Sequence, residues 1–267
     1  MARRLTLIAG SGSLAPTLLE AIRGNGDAVQ VLGVADAALD GAIKVDVNAP
    51  QHILARVRGF GTTHLLLAGA VSISSEARSA WMRAAGLSGS GPIGDTVLSR
   101  ALAAIAGKMG VALIGAHELV PSLLAPVGLI AGPPLDEAHT ELAGFALSAA
   151  RRAGTRDIGQ ALVMSGRHVM AAEDSDGTDA LLRRVKSIHA AGQGDGAPLV
   201  LAKARKPGQP EFVDLPAIGP RTIANAVEAG ISIVVIEARH TLLLDRAALE
   251  AAANDRAVSV LGLAADE

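Results

Sequence analysis

In "EFVDLPAIGPRT", residues 211–222, Asp214 ends a strand-like run and stands directly before a Leu-Pro turn. A carboxylate on so rigid an element suits a hard cation or an activated water, because both need an oxygen held in place. It suits equally well a plain capping role in the turn, ahead of a helix opened by Pro220. A second acidic group lies in "DIGQ" and "EDSDGTDALLRR", residues 157–160 and 173–184, with Glu173, Gly177, Thr178 and Asp179 around a helix start. That pattern reads either as a capping cluster or as a polar floor for sugar or phosphate. In "LAKARKPGQ", residues 201–209, Lys203, Arg205 and Lys206 follow a strand and precede a Pro-Gly turn. Cations there match a diphosphate, or form a solvated basic loop.

Two further stretches bear on phosphate chemistry. "LIAGSGSLA", residues 7–15, runs from a strand through Gly10, Gly12 and Ser13 into a helix. Small residues at such a turn let backbone N–H groups approach a phosphate at a helix N-terminus. Asp36 ends the next strand, where a ribose-binding acid of a dinucleotide site would stand. The same turn serves any α/β protein, and Pro16 with its loose spacing fits a nicotinamide site poorly. "GAHE", residues 115–118, ends another strand, so His117 and Glu118 face the ligand side of an open α/β sheet. His117 is a candidate phosphate donor and Glu118 a candidate for a metal or a hydroxyl; both are also ordinary structural residues.

The elements that must position these residues alternate. "RLTLIAG", "AVQVLGVAD", "THLLLAG" and "VALIGA" read as strands, and "SLAPTLLEAIRGNG", "QHILARVRGFG" and residues 96–108 as helices. Continuous apolar runs bounded by glycine predict parallel strands covered on both faces, with right-handed crossovers. "PSLLAPVGLIAGPP", residues 121–134, breaks this rhythm with four prolines. It places a domain boundary, giving a Rossmann-like α/β domain over 1–132 and a second α/β domain over 133–267. In the second half, "LDEAHTELAGFALSAARRAG" reads as a helix with acids early and arginines late. "QALVMSGRHVMAAE" reads as a hairpin, and "GTDALLRRVKSIH", "PRTIANAVEAG" and "RAALEAAAND" as helices. "LVLAKA", "ISIVVIEA" and "AVSVLGL" read as strands.

Composition narrows the chemistry. The 267 residues carry a formal net charge of -2, and three Phe, one Trp and no Tyr. Neither a basic field nor stacking platforms advertise a nucleic-acid partner. The absence of cysteine excludes disulfides, thiolate zinc sites and Cys nucleophiles. No two histidines stand within five positions, so the H-x-x-x-H zinc spacing fails, and any metal is expected to be Mg²⁺ on oxygen. Mean hydropathy is +0.38, yet charge or proline interrupts every run of about 18 residues. A soluble cytoplasmic protein is expected.

The order of these motifs carries more than any one of them. "LIAGSGSLAP", "GAHELVPSLLAPVG", "DIGQALV", "DGTDALLRR", "KARKPGQPEFVDLPAIGPRTI", "VEAGIS" and "LLLDRAALEAAA" succeed one another over nearly the whole chain. In that order the sequence resembles the UDP-2,3-diacylglucosamine pyrophosphatase family of lipid A biosynthesis, in its non-calcineurin cytoplasmic form. The resemblance implies two α/β domains around a cleft and Mg²⁺-dependent attack of water on the α-phosphorus of UDP-2,3-diacylglucosamine. It aligns the family's essential aspartate, in "VDLP", with Asp214, which would bind Mg²⁺ or orient the water. Asp179, Glu173 and Glu118 follow as further metal or water ligands, and Lys203, Lys206, His117 and Thr178 as substrate contacts. Gly10, Gly12 and Ser13 would approach the ligand by backbone. A substrate with two acyl chains implies transient contact with the inner-membrane surface; a homodimer is compatible with the sequence.

The chain departs from the family pattern in places. "AG-x-V-x-R-P" appears as "AGAVSIS", residues 68–74, with Ile73 and Ser74 for Arg and Pro, and Arg78 a little further on. "EAG" near the end reads Glu237-Ala238-Arg239. Two rival readings stay open at this point: an NAD(P)-dependent oxidoreductase built on the Gly10–Ser13 turn and Asp36, and a nucleotide-lipid binder without turnover.

Overall fold

The computed structural model describes residues 3–264 apart from 35–38, 70, 72, 88–94, 157–158, 175, 193–195 and 208–214. Asp36, Asp157 and Asp214 therefore lie outside the described residues.

The chain divides into two compact units, changing over between Pro121 and Ser122. The expected boundary at 132 falls later than this. Within "PSLLAPVGLIAGPP" the residues Gly128–Ala131 form a strand that joins the second sheet at its edge, where neighbouring prolines cost no ladder hydrogen bonds.

In the first unit β1 (Arg4–Ala9), α1 (Leu14–Gly24), β2 (Ala28–Gly33), β3 (Ile43–Lys44), α2 (Pro50–Phe60), β4 (His64–Ala68), α3 (Ser75–Ala85), α4 (Asp95–Met109), β5 (Ala112–Ile114) and α5 (Ala116–Leu119) follow in order. The strands form a parallel sheet in the order β3-β2-β1-β4-β5. The chain builds outward from β1 in one direction, then returns to add β4 and β5 on the other side. The carboxyl ends of β1 and β4 thus flank the point where strand order reverses, the usual ligand position in an open α/β sheet. Leu5, Leu7, Leu32 and Leu66 are fully buried in this sheet.

Helix α3 is absent from the sequence reading, because alanine and serine leave it only a thin apolar stripe. Its large buried side chains are Trp81 and Met82, and Trp81 Nε1 donates to Val47 O at 2.9 Å. Ser74, which replaces the family's proline, closes the helix start: its hydroxyl accepts the Ala77 N–H at 3.2 Å. Ile73 packs against the core.

The second unit contains β6 (Gly128–Ala131), α6 (Glu137–Gly154), β7 (Ala161–Ser165), β8 (His168–Ala172), α7 (Gly177–Ala190), β9 (Leu199–Lys203), β10 (Ala217–Ile218), α8 (Pro220–Glu228), β11 (Ile231–Glu237), β12 (Leu242–Leu243), α9 (Arg246–Asp255) and β13 (Ser259–Leu263). Its main sheet runs β6-β13-β11-β9-β7-β8, with β9, β11 and β13 parallel and β6 and β7 antiparallel to their neighbours. Strands β7 and β8 form the expected hairpin. Side chains alternate between two cores, apart from an irregularity between Ile231 and Ile233 in β11. Val163, Leu201 and Val234 pack with Leu182 of α7 and Ile223 of α8 on one face. Leu162, Val200 and Val235 pack with Leu147 of α6 on the other. A period of two with both faces buried explains why these strands read as unbroken apolar runs.

Arg239 adopts φ 64, a left-handed backbone, at the position where the family pattern carries glycine.

Candidate active site

In the first unit the candidate residues collect at the carboxyl edge of the parallel sheet. Gly10 directly follows β1, its N–H donating to Ala68 O of β4 at 2.8 Å. Ser11, Gly12 and Ser13 are exposed, and Gly12 has φ 108 with no atom within 4 Å of where a β-carbon would stand. Ser13 caps α1 without a side-chain hydrogen bond. Gly69, just after β4, has φ 90, and a β-carbon there would stand 2.5 Å from Ser11 O. The two loops of the switch point thus touch backbone to backbone. The sequence reading missed Gly69; the signal was a glycine directly after an apolar strand.

His117 and Glu118 sit in α5 at the end of β5, the neighbour of β4 on the same edge. Glu118 Oε1 accepts the Gly115 N–H at 2.7 Å and so closes the start of this short helix. For Glu118 that is a structural role, the cap of a helix start.

In the second unit another set gathers where β8 and β9 end and β7 and α7 begin. Lys203, the last residue of β9, is only 6 % exposed. Its ammonium donates to Thr178 Oγ1 at 2.9 Å and to Ala217 O at 3.0 Å. Thr178 in turn donates to Glu173 Oε1 at 2.6 Å, and Glu173 Oε2 accepts the Gln160 N–H at 2.6 Å. Gly159 makes the last bond feasible. It takes φ 49, and a β-carbon there would meet the Glu173 carbonyl oxygen at 2.6 Å. Gln160 of "DIGQ" and Glu173 and Thr178 of "EDSDGTD" are therefore joined by hydrogen bonds.

Asp179 is occupied differently: Oδ1 accepts from Asn225 Nδ2 at 3.0 Å, and Oδ2 pairs with Arg221 at 2.8 Å. It ties α7 to α8. Lys206 is buried beside Gly154 at the end of α6. Close by, Glu237 at the end of β11 is 2 % exposed and accepts the Arg205 N–H at 2.9 Å, with Arg151 at 4.0 Å. Sequence reasoning passed over Glu237 as a functional residue, having noted it only as part of an altered "EAG".

Of the carboxylates expected as metal ligands, Glu118 lies in the first unit, Glu173 and Asp179 in the second, and Asp214 outside the described residues. Among the described residues no group of three His, Cys, Asp or Glu side chains is placed to hold a metal ion. Glu118, Glu173 and Asp179 each have the separate hydrogen-bonding work given above. Among the described residues no helix is long and apolar enough to cross a membrane.

Comparison with known proteins decides the family. Residues 4–123 match the LpxI N-terminal domain and residues 126–261 the LpxI C-terminal domain. The chain belongs to the LpxI family. A relative from Caulobacter vibrioides, the UDP-2,3-diacylglucosamine pyrophosphatase LpxI, is 35% identical over 274 residues, covering 98% of each chain. The two LpxI domain matches meet between 123 and 126, close to the change of unit at Pro121. The LpxI match leaves the nicotinamide reading of the Gly10–Ser13 turn without support.

Proposed function

We propose that this protein hydrolyses UDP-2,3-diacylglucosamine to UMP and 2,3-diacylglucosamine 1-phosphate, as a step of lipid A synthesis. The observation that carries this is the match of both LpxI domains, together with a pyrophosphatase relative 35% identical over 98% of the chain. It makes the chain an enzyme of the hydrolase class.

In this reading water attacks the α-phosphorus in line, so catalysis consists of positioning and of neutralising charge on the phosphoryl oxygens. Asp214, outside the described residues, is the proposed catalytic aspartate. In the first unit the exposed Ser11–Ser13 backbone and the α1 N-terminus suit a phosphate; His117 in α5, and Thr178, Lys203 and Lys206 of the second unit, are the further proposed substrate contacts. Mg²⁺ dependence belongs to the proposal too. The described carboxylates do not fit a cation cage, so no step is assigned to the ion through them. Contact with the cytoplasmic face of the inner membrane, and a homodimer, complete the reading; vesicle co-sedimentation and light scattering test them.

The direct test is hydrolysis of UDP-2,3-diacylglucosamine in ¹⁸O-labelled water, with Mg²⁺ and with EDTA. Metal-dependent release of UMP carrying the label is the expected result. Label in the sugar phosphate would place attack on the other phosphorus. No hydrolysis by folded protein would overturn the reading.

A further inference from the structure

Strand β9 ends at Lys203, and the amides that follow it need partners. The Ala204 N–H still finds a backbone one, Gln160 O at 2.9 Å. The next donor, the Arg205 N–H, goes to a side chain: Glu237 Oε2 accepts it at 2.9 Å. Glu237 ends β11 and continues the period of Ile233 and Val235, so it faces α6. Arg151 Nε of α6 stands 4.0 Å from its other oxygen. One turn further along α6, Gly154 leaves room for the chain beyond Arg205. A β-carbon on Gly154 would lie 3.4 Å from Lys206 Cα and 3.3 Å from Pro207 Cδ. The backbone of residues 205–207 is thus held between the Glu237 carboxylate and the last turn of α6.

Burying a carboxylate to 2 % exposure is costly unless hydrogen bonds and an opposite charge meet it. The neighbours of Glu237 on this face, Val235 and Leu263, belong to the apolar core under α6, and an aliphatic side chain would extend that core. What Glu237 adds is an acceptor for a main-chain amide. That amide lies one residue before Lys206, the cation assigned above to the substrate.

Resting on the proposed hydrolysis and on Lys206 as a substrate contact, we propose that Glu237 is a positioning residue. Its carboxylate holds the Arg205 amide and so sets the backbone from which Lys206 meets the diphosphate.

The test uses Glu237→Met, which removes the acceptor, and Glu237→Gln, which keeps an acceptor oxygen without the charge. Each is made in the parent and in Lys206→Met. In the parent, kcat/KM for UMP release should fall roughly 10-fold or more with Glu237→Met and stay within about 3-fold with Glu237→Gln. In Lys206→Met, adding Glu237→Met should cost less than about 3-fold more, because residues that act as one unit are not additive. Amide exchange at Arg205 should accelerate about 10-fold or more in Glu237→Met and not in Glu237→Gln, while the β11 amides stay protected.

Losses that multiply in the double variant would mean that Glu237 acts independently of Lys206, and would overturn the proposal. So would unchanged Arg205 exchange in Glu237→Met, or a Lys206→Met variant as active as the parent. If Glu237→Met does not fold, Glu237→Gln decides alone. Activity and Arg205 exchange near the parent's support the hydrogen bond as the working feature, and a loss of about 10-fold shows that the charge acts instead. If the parent protein hydrolyses nothing, the proposed function fails, and Arg205 exchange alone decides whether Glu237 holds the loop.

Discussion

Gly69 and Ser11 meet backbone to backbone: a β-carbon on Gly69 would stand 2.5 Å from the Ser11 carbonyl oxygen, and Gly69 has φ 90. Gly69→Ala should therefore cost about 3 kcal/mol, from backbone strain and overpacking together. Gly12 has φ 108 but open space around it, so Gly12→Ala carries strain alone, about 1–2 kcal/mol. Urea denaturation of the two variants should rank them in that order. Equal stability would mean that the two loops separate freely.

Asp214→Ala should leave folding and substrate binding intact while turnover falls roughly 10²-fold or more, the scale of losing a positioned acid-base group. UMP release with saturating substrate measures it. A variant within a few-fold of the parent removes Asp214 from the mechanism.

Asp179 is bound to Asn225 and to Arg221, whose side chain is 82% exposed. Asp179→Asn should shift the Mg²⁺ concentration for half-maximal activity by less than about 2-fold, with a stability change within about 1 kcal/mol. A shift of tenfold or more would restore Asp179 as a metal ligand.

Arg239 holds φ 64 where the family pattern has glycine. Arg239→Gly should relieve about 1–2 kcal/mol of left-handed strain, partly offset by the greater freedom of glycine in the unfolded chain. A small rise in the thermal midpoint is expected; a fall would mean that the arginine side chain has interactions outweighing the strain.

Acid should weaken the second unit in a defined way. The His139 N–H and ring beside Asp136, the N-cap of α6, hold its carboxyl below the usual aspartate range. Arg184, with the Asp176 N–H, does the same for Asp174. Each folded-state pKa lies below its unfolded value, so the contribution is complete above about pH 4 and is lost as pH falls through the lower, folded value. The difference in urea midpoint between the parent and Asp136→Ala should narrow from pH 6 to pH 3. An unchanged difference would show that ionisation of Asp136 contributes nothing.

Local signals in the sequence carried the fold class, the longer strands of the two main sheets, the β7–β8 hairpin and the family. Apolar runs of five to seven residues such as "ISIVVIE" are strands wherever both faces are covered, and glycine with proline marks where they stop. The same local reading failed at α3, whose apolar stripe is thin, and at β6, where prolines surround an edge strand. Which polar residues act together was not legible. Glu173, Thr178, Lys203 and Ala217 span 45 positions of sequence, and only the antiparallel pairing of β7 with β9 brings their ends to one edge. Residue type made Glu173 and Asp179 look like ligands. Tertiary structure decided their hydrogen-bond and ion-pair partners, because a carboxylate takes up the donors that folding places within reach, and for these two they are a backbone amide and a threonine, and an asparagine and an arginine.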